Sequence, residues 1–159
     1  MKKHIKREID LREEKLHQMV LLAAMCVSPK TTLKQVIKEM QEKCRGSVLV
    51  EEKGDLVGIF TERDILTRIL GKDIDDQKPI KEFMTKNPFT LKITDTLEDA
   101  VVLMVEKGIR HVPILDQFEG NDKVISVRDV IDYLAERFPT EVLNLPPDFN
   151  QTPKKEEGG

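Results

Sequence analysis

Two tetrapeptides in the sequence place a carboxylate three residues after a hydroxyl: Thr61-x-x-Asp64 and Ser126-x-x-Asp129. Each follows an apolar, strand-like run and precedes apolar residues at helical spacing, so each is predicted to begin a helix. There the two side chains can form a capping box that satisfies free backbone N–H groups. A helix start can also bind phosphate, and a carboxylate can accept hydrogen bonds from a ribose diol. Capping alone and a nucleoside-phosphate site are therefore both open.

The residue three positions before each hydroxyl differs between the tetrapeptides. Gly58 precedes Thr61, and a glycine there would leave room for a ligand against the strand. Lys123 holds the same position before Ser126. We expect Lys123 to fill its cleft, so that the site with Thr61 binds more tightly; the alternative is that its ammonium points outward and adds a phosphate contact.

The tetrapeptides belong to an internal repeat. Residues 31–40 predict an amphipathic helix capped by Thr32 or Thr31. Residues 95–104 match them, with Thr96 in the position of Thr32, and predict a helix that is apolar nearly all round and hence more buried. Strand-like runs follow at 47–52 and 56–60 in the first copy and at 112–117 and 123–126 in the second, each pair separated by turn residues. Helices are then predicted over 61–70 and 126–135. The sequence thus predicts a helix–strand–strand–helix unit that recurs after about 65 residues.

Composition restricts the class of protein. A chain of 159 residues with 39% hydrophobic residues can form one compact domain or two half-domains that share a core. Its 26 basic and 29 acidic residues are too balanced to indicate a nucleic-acid surface. The apolar run 19–27 is much shorter than the roughly 20 residues of a membrane span, so we interpret it as core rather than as a span or signal peptide. The two cysteines fit neither a disulfide framework nor a metal motif and suggest reduced thiols in the cytoplasm.

Residues that could perform catalysis are not grouped in the sequence. It has no local signature of an activated nucleophile, a paired acid and base, or a glycine-rich phosphate loop. The three histidines, His4, His17 and His111, are too scattered to predict a metal cluster. We therefore expect a protein that is not an enzyme and that has neither catalytic residues nor a metal site.

The domain organisation follows from the repeat and its flanks. We expect an N-terminal segment over 1–18 that could be helical and pack on a partner, a first repeat over 19–72, and a linker with the second repeat over 73–138. Residues 139–159 form a proline-rich, charged tail that we expect to be partly disordered.

A family resemblance becomes visible once the two copies are compared. Residues 46–50 and 56–64 in the first copy, and 110–114 and 126–129 in the second, resemble a tandem pair of CBS domains, often called a Bateman module. The resemblance covers about residues 20–138. It implies a mixed α/β (α+β) fold of two βαββα repeats related by a pseudo-two-fold axis, with two clefts between them. Such clefts often bind AMP, ADP or ATP, and sometimes S-adenosylmethionine.

Carried over to this sequence, the resemblance implies roles for individual residues. Thr61 and Ser126 would face phosphate, and the carboxylates after them would face ribose. Segments 25–27 and 89–91, with the strand starts near Ser47 and Val112, would line the base. Arginines and a histidine are candidate phosphate partners, although each arginine could simply be solvated. The expected nucleotide-binding residues are Cys26, Val27, Arg45, Gly46, Ser47, Gly58, Thr61, Arg63, Asp64, Thr90, Arg110, His111, Pro113, Ser126, Arg128 and Asp129.

The function implied by the resemblance is that of a stand-alone regulatory module that senses adenine nucleotides, and so energy state, and signals to a separate effector protein. It would need no cofactor beyond that regulatory ligand. A homodimer is expected, because two short repeats leave the apolar faces near 65–70 and 130–134 with little cover. The alternatives are a ligand-independent dimerisation or scaffold module and a sensor of S-adenosylmethionine.

Overall fold

The computed structural model describes residues 10–117 and 119–138. In the first repeat, β1 (Cys26–Val27) precedes α1 (Leu33–Glu42), β2 (Ser47–Glu52), β3 (Asp55–Thr61) and the short α2 (Glu62–Asp64), and β4 (Thr85–Lys86) follows. The second repeat comprises β5 (Leu91–Lys92), α3 (Leu97–Lys107), β6 (His111–Leu115), β7 (Lys123–Ser126) and α4 (Val127–Arg137). The predictions for residues 2–9 and 139–159 lie outside the described residues.

Each repeat has its own sheet, and the registers of the two sheets correspond. The strand order is β1-β2-β3-β4 in one sheet and β5-β6-β7 in the other. Ser47 lies opposite Thr61 in the first antiparallel pair, and His111 lies opposite Ser126 in the second. The predicted repeat and the mixed α/β fold are therefore confirmed, and the two hydroxyls occupy equivalent positions.

The helix starts follow from local sequence. Thr32 accepts a hydrogen bond from the backbone N–H of Gln35 at 3.2 Å and so caps α1. Thr96 and Asp99 form a capping box at the start of α3: Asp99 Oδ2 lies 2.9 Å from Thr96 N and 2.7 Å from Thr96 Oγ1. Of the two threonines predicted as the cap of α1, it is Thr32 and not Thr31 that caps the helix, and its counterpart Thr96 caps α3.

The predicted helix over 61–70 is only partly α-helical. After Asp64 the chain continues as a π-helical turn, Ile65–Ile69, and Leu70 N donates to Ile65 O at 2.8 Å. The wider turn leaves Leu66 and Leu70 largely exposed, while Ile65 and Ile69 pack against the first core. None of the helices in the described part of the chain is long and apolar enough to cross a membrane.

The N-terminal residues differ most from the expectation. Residues 10–18 form a turn and a 3₁₀ helix, Leu16–Gln18, instead of a longer helix. Leu16 is fully buried in the core of the second repeat, and Met19, which the sequence assigned to the first repeat, lies in that same core. Backbone bonds hold the segment there, since Leu97 N donates to Glu14 O at 2.8 Å. The core of the first repeat begins at Met25.

Candidate functional site

A cleft of about 770 Å³ lies between the two repeats, a volume typical of small-molecule sites. We call it the Ser126 cleft, because Ser126 and the start of α4 form part of its wall. The chain before β1, the start of β2, the start of α2 and the strand–helix junction of the second repeat all contribute. Its lining residues are Leu22, Ala23, Ala24, Met25, Cys44, Arg45, Gly46, Ser47, Glu62, Arg110, His111, Val124, Ser126, Val127, Arg128, Asp129 and Ile131.

Ser126 and Asp129 form a complete capping box at the start of the 11-residue helix α4. Asp129 Oδ2 accepts from Ser126 N and from Ser126 Oγ, both at 2.6 Å, and Asp129 N donates to Ser126 Oγ at 3.2 Å. No described residue donates a hydrogen bond to the second carboxylate oxygen, Oδ1. The capping role is therefore fulfilled while one oxygen of Asp129 stays available.

Arginines give the cleft a positive wall. Among the described residues, neither Arg45 nor Arg110 makes an ion pair or a side-chain hydrogen bond. Arg128 approaches only Asp132 on its own helix, at 3.7 Å, and its side chain is 89% exposed. Unpaired guanidinium groups beside a helix N-terminus attract anions, phosphate above all.

His111 is half-buried in this cleft and faces the first repeat. A Cβ at Gly46 would lie 3.1 Å from His111 Nε2 and 3.2 Å from Glu62 Oε2, so a side chain there would displace one of these two groups by a few tenths of an ångström. Burial lowers the pKa of His111, the nearby carboxylates of Glu62 and Asp129 oppose that shift, and Arg110 adds to it. The imidazole is accordingly neutral near pH 7.

Half of the predicted nucleotide-binding residues meet in the Ser126 cleft, and half do not. Those lining it are Arg45, Gly46, Ser47, Arg110, His111, Ser126, Arg128 and Asp129. Those lying outside its wall are Cys26, Val27, Gly58, Thr61, Arg63, Asp64, Thr90 and Pro113. Met25, predicted beside the base, does line the cleft. The lining residues that were not predicted from the sequence are Leu22, Ala23, Ala24, Cys44, Glu62, Val124, Val127 and Ile131. Glu62 lies between Thr61 and Asp64, and its residue type had no part in the Thr-x-x-Asp pattern.

The interpretation of Gly58 as room for a ligand is wrong. A Cβ at Gly58 would lie 2.3 Å from Met84 Sδ and 2.8 Å from Met84 Cγ, so the space is taken by a side chain of the same repeat. The glycine permits β3 to pack under Met84, which lies just before β4.

Lys123 neither fills a ligand cleft nor points outward to contact a phosphate, the two alternatives expected of it. The register confirms that it corresponds to Gly58, since Gly58 pairs with Val50 and Lys123 with Ile114. Its ammonium lies 3.1 Å from Asp116 Oδ2 and 2.9 Å from Glu119 Oε2, on the loop between β6 and β7. These carboxylates hold the side chain away from the Ser126 cleft.

The two cysteines are free thiols. Cys26 Sγ lies 3.1 Å from Glu51 Oε1, and burial, with this carboxylate, raises the pKa of the thiol to about 12. The Cys26 side chain is therefore a protonated hydrogen-bond donor rather than a nucleophile. Cys44 lies in the left-handed region with φ of 50° directly after the C-cap of α1, where the second repeat has Gly108 with φ of 62°.

Comparison with known proteins gives the same family for both repeats. The family model described as "CBS domain" matches residues 22–71 and 80–136. An uncharacterized 17.7 kDa protein of Acidianus ambivalens is 32% identical over 117 residues, which cover 73% of this chain and 70% of that protein.

Two solved structures that carry ligands have a similar fold. CBSX2 in complex with AMP is 20% identical with a TM-score of 0.66, over 77% of this chain and 97% of that one. The CBS domain pair of protein MJ0100, in complex with 5′-methylthioadenosine and S-adenosyl-L-methionine, is 18% identical with a TM-score of 0.67, again over 77% and 97%.

Proposed function

The chain belongs to the CBS-domain family, and we propose that it is a regulatory module that senses a phosphorylated adenosine, AMP, ADP or ATP, in the Ser126 cleft. The observation that carries the proposal is that the guanidinium groups of Arg45 and Arg110, which have no ion-pair or hydrogen-bond partner among the described residues, share a 770 Å³ cleft with the N-terminus of α4. The adenosine ligands of CBSX2 and MJ0100 support the ligand class.

The charges of the cleft favour a phosphate over a sulfonium. Arg45, Arg110 and Arg128 line it together with the positive end of the α4 dipole, and only two lining residues, Glu62 and Asp129, are acidic. The three guanidinium groups and the helix dipole attract a phosphate and repel the sulfonium of S-adenosylmethionine, and they outnumber the two carboxylates, which do the opposite. An adenine nucleotide is therefore the better match than S-adenosylmethionine.

The remaining parts of the ligand have complementary surfaces in the same cleft. Asp129 Oδ1 is available to accept hydrogen bonds from the ribose hydroxyls. Ala24, Met25 and Ile131 offer apolar surface against which a purine base can lie. We propose that the ligand spans from the lead-in to β1, where the base lies, to the start of α4, where the phosphate lies.

Signalling follows from the position of the cleft between the repeats. A ligand that contacts both walls shifts the protein towards the arrangement of repeats that it binds best. Val127 and Ile131 line the cleft and are also partly exposed, at 38% and 56%. Leu66 and Leu70 are likewise exposed, at 65% and 68%, and we propose that a second copy covers these apolar side chains. Ligand binding would then act on the homodimer, and through it on an effector in the reducing cytoplasm.

A ligand-independent scaffold is the second candidate, and a specific observation favours it. The Thr96–Asp99 box has the same geometry as the Ser126–Asp129 box although neither Thr96 nor Asp99 lines the cleft. Capping by itself is thus a sufficient reason for such a box in this chain.

Calorimetric titration separates these candidates. We expect heats of binding for at least one of AMP, ADP and ATP, and weaker or no binding of S-adenosylmethionine. Arg110→Gln should weaken nucleotide binding about 10- to 100-fold, the value of one charge-assisted hydrogen bond. Arg12→Gln is the matched control, because Arg12 pairs with Glu98 outside the cleft and its loss should leave affinity unchanged. Absence of binding up to millimolar nucleotide would favour the scaffold.

A further inference from the structure

The arginines in the two tetrapeptides make different contacts, although they occupy equivalent positions. Arg63 Nη1 donates to the backbone oxygen of Gly108 at 2.7 Å and so joins the first repeat to the second. Arg128, its counterpart, approaches Asp132 on its own helix and no other acidic side chain in the part of the chain that the structure describes. The counterpart of Gly108 is Cys44, which lines the Ser126 cleft together with Arg128. One arginine therefore crosses between the repeats, and the other does not.

The contact of Arg63 is electrostatically favourable. Gly108 is the left-handed C-cap of α3, whose last turn carries the negative end of the helix dipole. A guanidinium that donates to a carbonyl at this end gains both a charge-assisted hydrogen bond and the interaction with the dipole. A ligand phosphate beside Thr61 would need the Arg63 guanidinium as its partner. The carbonyl of Gly108 already occupies that guanidinium.

The other groups beside Arg63 are engaged as well. Asp64 Oδ2 accepts from Thr61 N at 2.8 Å and from Thr61 Oγ1 at 3.0 Å, and Oδ1 accepts from Arg68 Nη2 at 2.6 Å. Both carboxylate oxygens are thus used, in contrast to those of Asp129. The space at Gly58 is filled by Met84.

We propose that Arg63 closes the position beside Thr61 and Asp64, so that each chain binds a single phosphorylated adenosine, in the Ser126 cleft. This inference rests on the proposed function, and it reverses the expectation that the site with Thr61 binds more tightly. Arg63 determines the number of ligands: its bond to Gly108 O must break, and Met84 must move, before a second ligand can enter beside Thr61. The two positions share a hydroxyl and a carboxylate, and they differ in the contact of the arginine, in the bond from Arg68 to Asp64 Oδ1 and in the packing of Met84 at Gly58.

Equilibrium dialysis with labelled ATP tests the inference. Wild-type protein should bind one ATP per chain at saturation. Arg63→Ala, and more fully Arg63→Ala with Met84→Ala, should raise the stoichiometry towards two through an additional weaker site. Arg128→Ala is the matched control: it should weaken the single site without adding another. Melting curves verify that each variant is folded; Arg63 is exposed, and its replacement by alanine removes the bond to Gly108 O without opening a cavity in the core.

The outcomes separate the two proposals. Two equal sites in wild-type protein would overturn the role of Arg63 and leave the proposed function standing. A stoichiometry of one in both Arg63 variants would show that the contact with Gly108 is structural only, which also overturns the inference. Absence of ATP binding in every variant would contradict the proposed function itself, and the inference with it.

Discussion

Replacement of Asp129 by alanine distinguishes a residue that only caps a helix from one that also holds a ligand. The chain supplies its own control in Asp99, which caps α3 with the same two hydrogen bonds outside the Ser126 cleft. Asp129→Ala and Asp99→Ala each remove a carboxylate oxygen that accepts from a backbone N–H and a hydroxyl. Only Asp129→Ala also removes from the Ser126 cleft the second carboxylate oxygen, Oδ1, to which no described residue donates.

The expected magnitudes follow from these contacts. Loss of either capping box should lower the free energy of unfolding by about 1 kcal/mol, or roughly 3 °C in melting temperature for a chain of this size. ATP at 100 times its Kd should stabilise the wild-type protein by about 2.7 kcal/mol. If Asp129→Ala weakens binding about 10- to 100-fold, the same ATP concentration should stabilise that variant by only about 1.4 to 0.4 kcal/mol.

Thermal unfolding of the three proteins with and without ATP measures both effects. Asp99→Ala should melt at a lower temperature than wild type yet keep the full ATP-induced increase. Asp129→Ala should have a similarly lowered melting temperature without ligand, and ATP should raise that temperature much less than it does in wild type. An equal ATP-induced increase in both variants would refute the reasoning, because Asp129 would then be a cap and nothing more.

Three further predictions concern stability and assembly. Gly108→Ala should lower the free energy of unfolding by about 1 kcal/mol in chemical denaturation, because φ is 62° there. Cys44→Gly, at the corresponding position with φ of 50°, should not lower it. An unfolding free energy of Gly108→Ala equal to that of wild type would contradict this. Burial lowers the pKa of His111, so unfolding free energy should fall as pH drops below about 6.5, and His111→Gln should flatten that slope. Leu66→Lys places a charge among the apolar side chains that we propose a second copy covers and should give monomers in ultracentrifugation, whereas Val102→Lys, at a 46% exposed side chain of α3, should leave the homodimer intact.

The sequence predicts the repeat well, because its evidence is local. The caps at Thr32 and Thr96 and the strand pairs depend on residues within a few positions of one another, and the structure has them in place. The burial of Leu16 depends instead on backbone bonds to the second repeat, such as Leu16 N to Asp95 O at 3.0 Å. A short segment with weak periodicity carries no sign of such a distant partner.

Predictions for the candidate site also depend on whether their evidence is local or comes from distant parts of the chain. The arginines followed from the family resemblance, and residue types and spacing indicated the pairs Thr61/Asp64 and Ser126/Asp129 alike. They could not say which of two equivalent arginines crosses to the other repeat, because that depends on the carbonyl of Gly108. Nor could they say that Met84 takes the space beside Gly58, because a glycine shows that space is needed without showing what fills it.

The most direct test of the central claim is mass spectrometry of the small molecules released when the purified native protein is denatured, followed by reloading with ATP. The account predicts an adenosine phosphate, at up to one per chain, that is lost in an Arg45→Ala, Arg110→Ala double variant. Protein that releases no adenosine compound, and that retains none after exposure to millimolar ATP, would contradict the assignment of the Ser126 cleft as a nucleotide sensor.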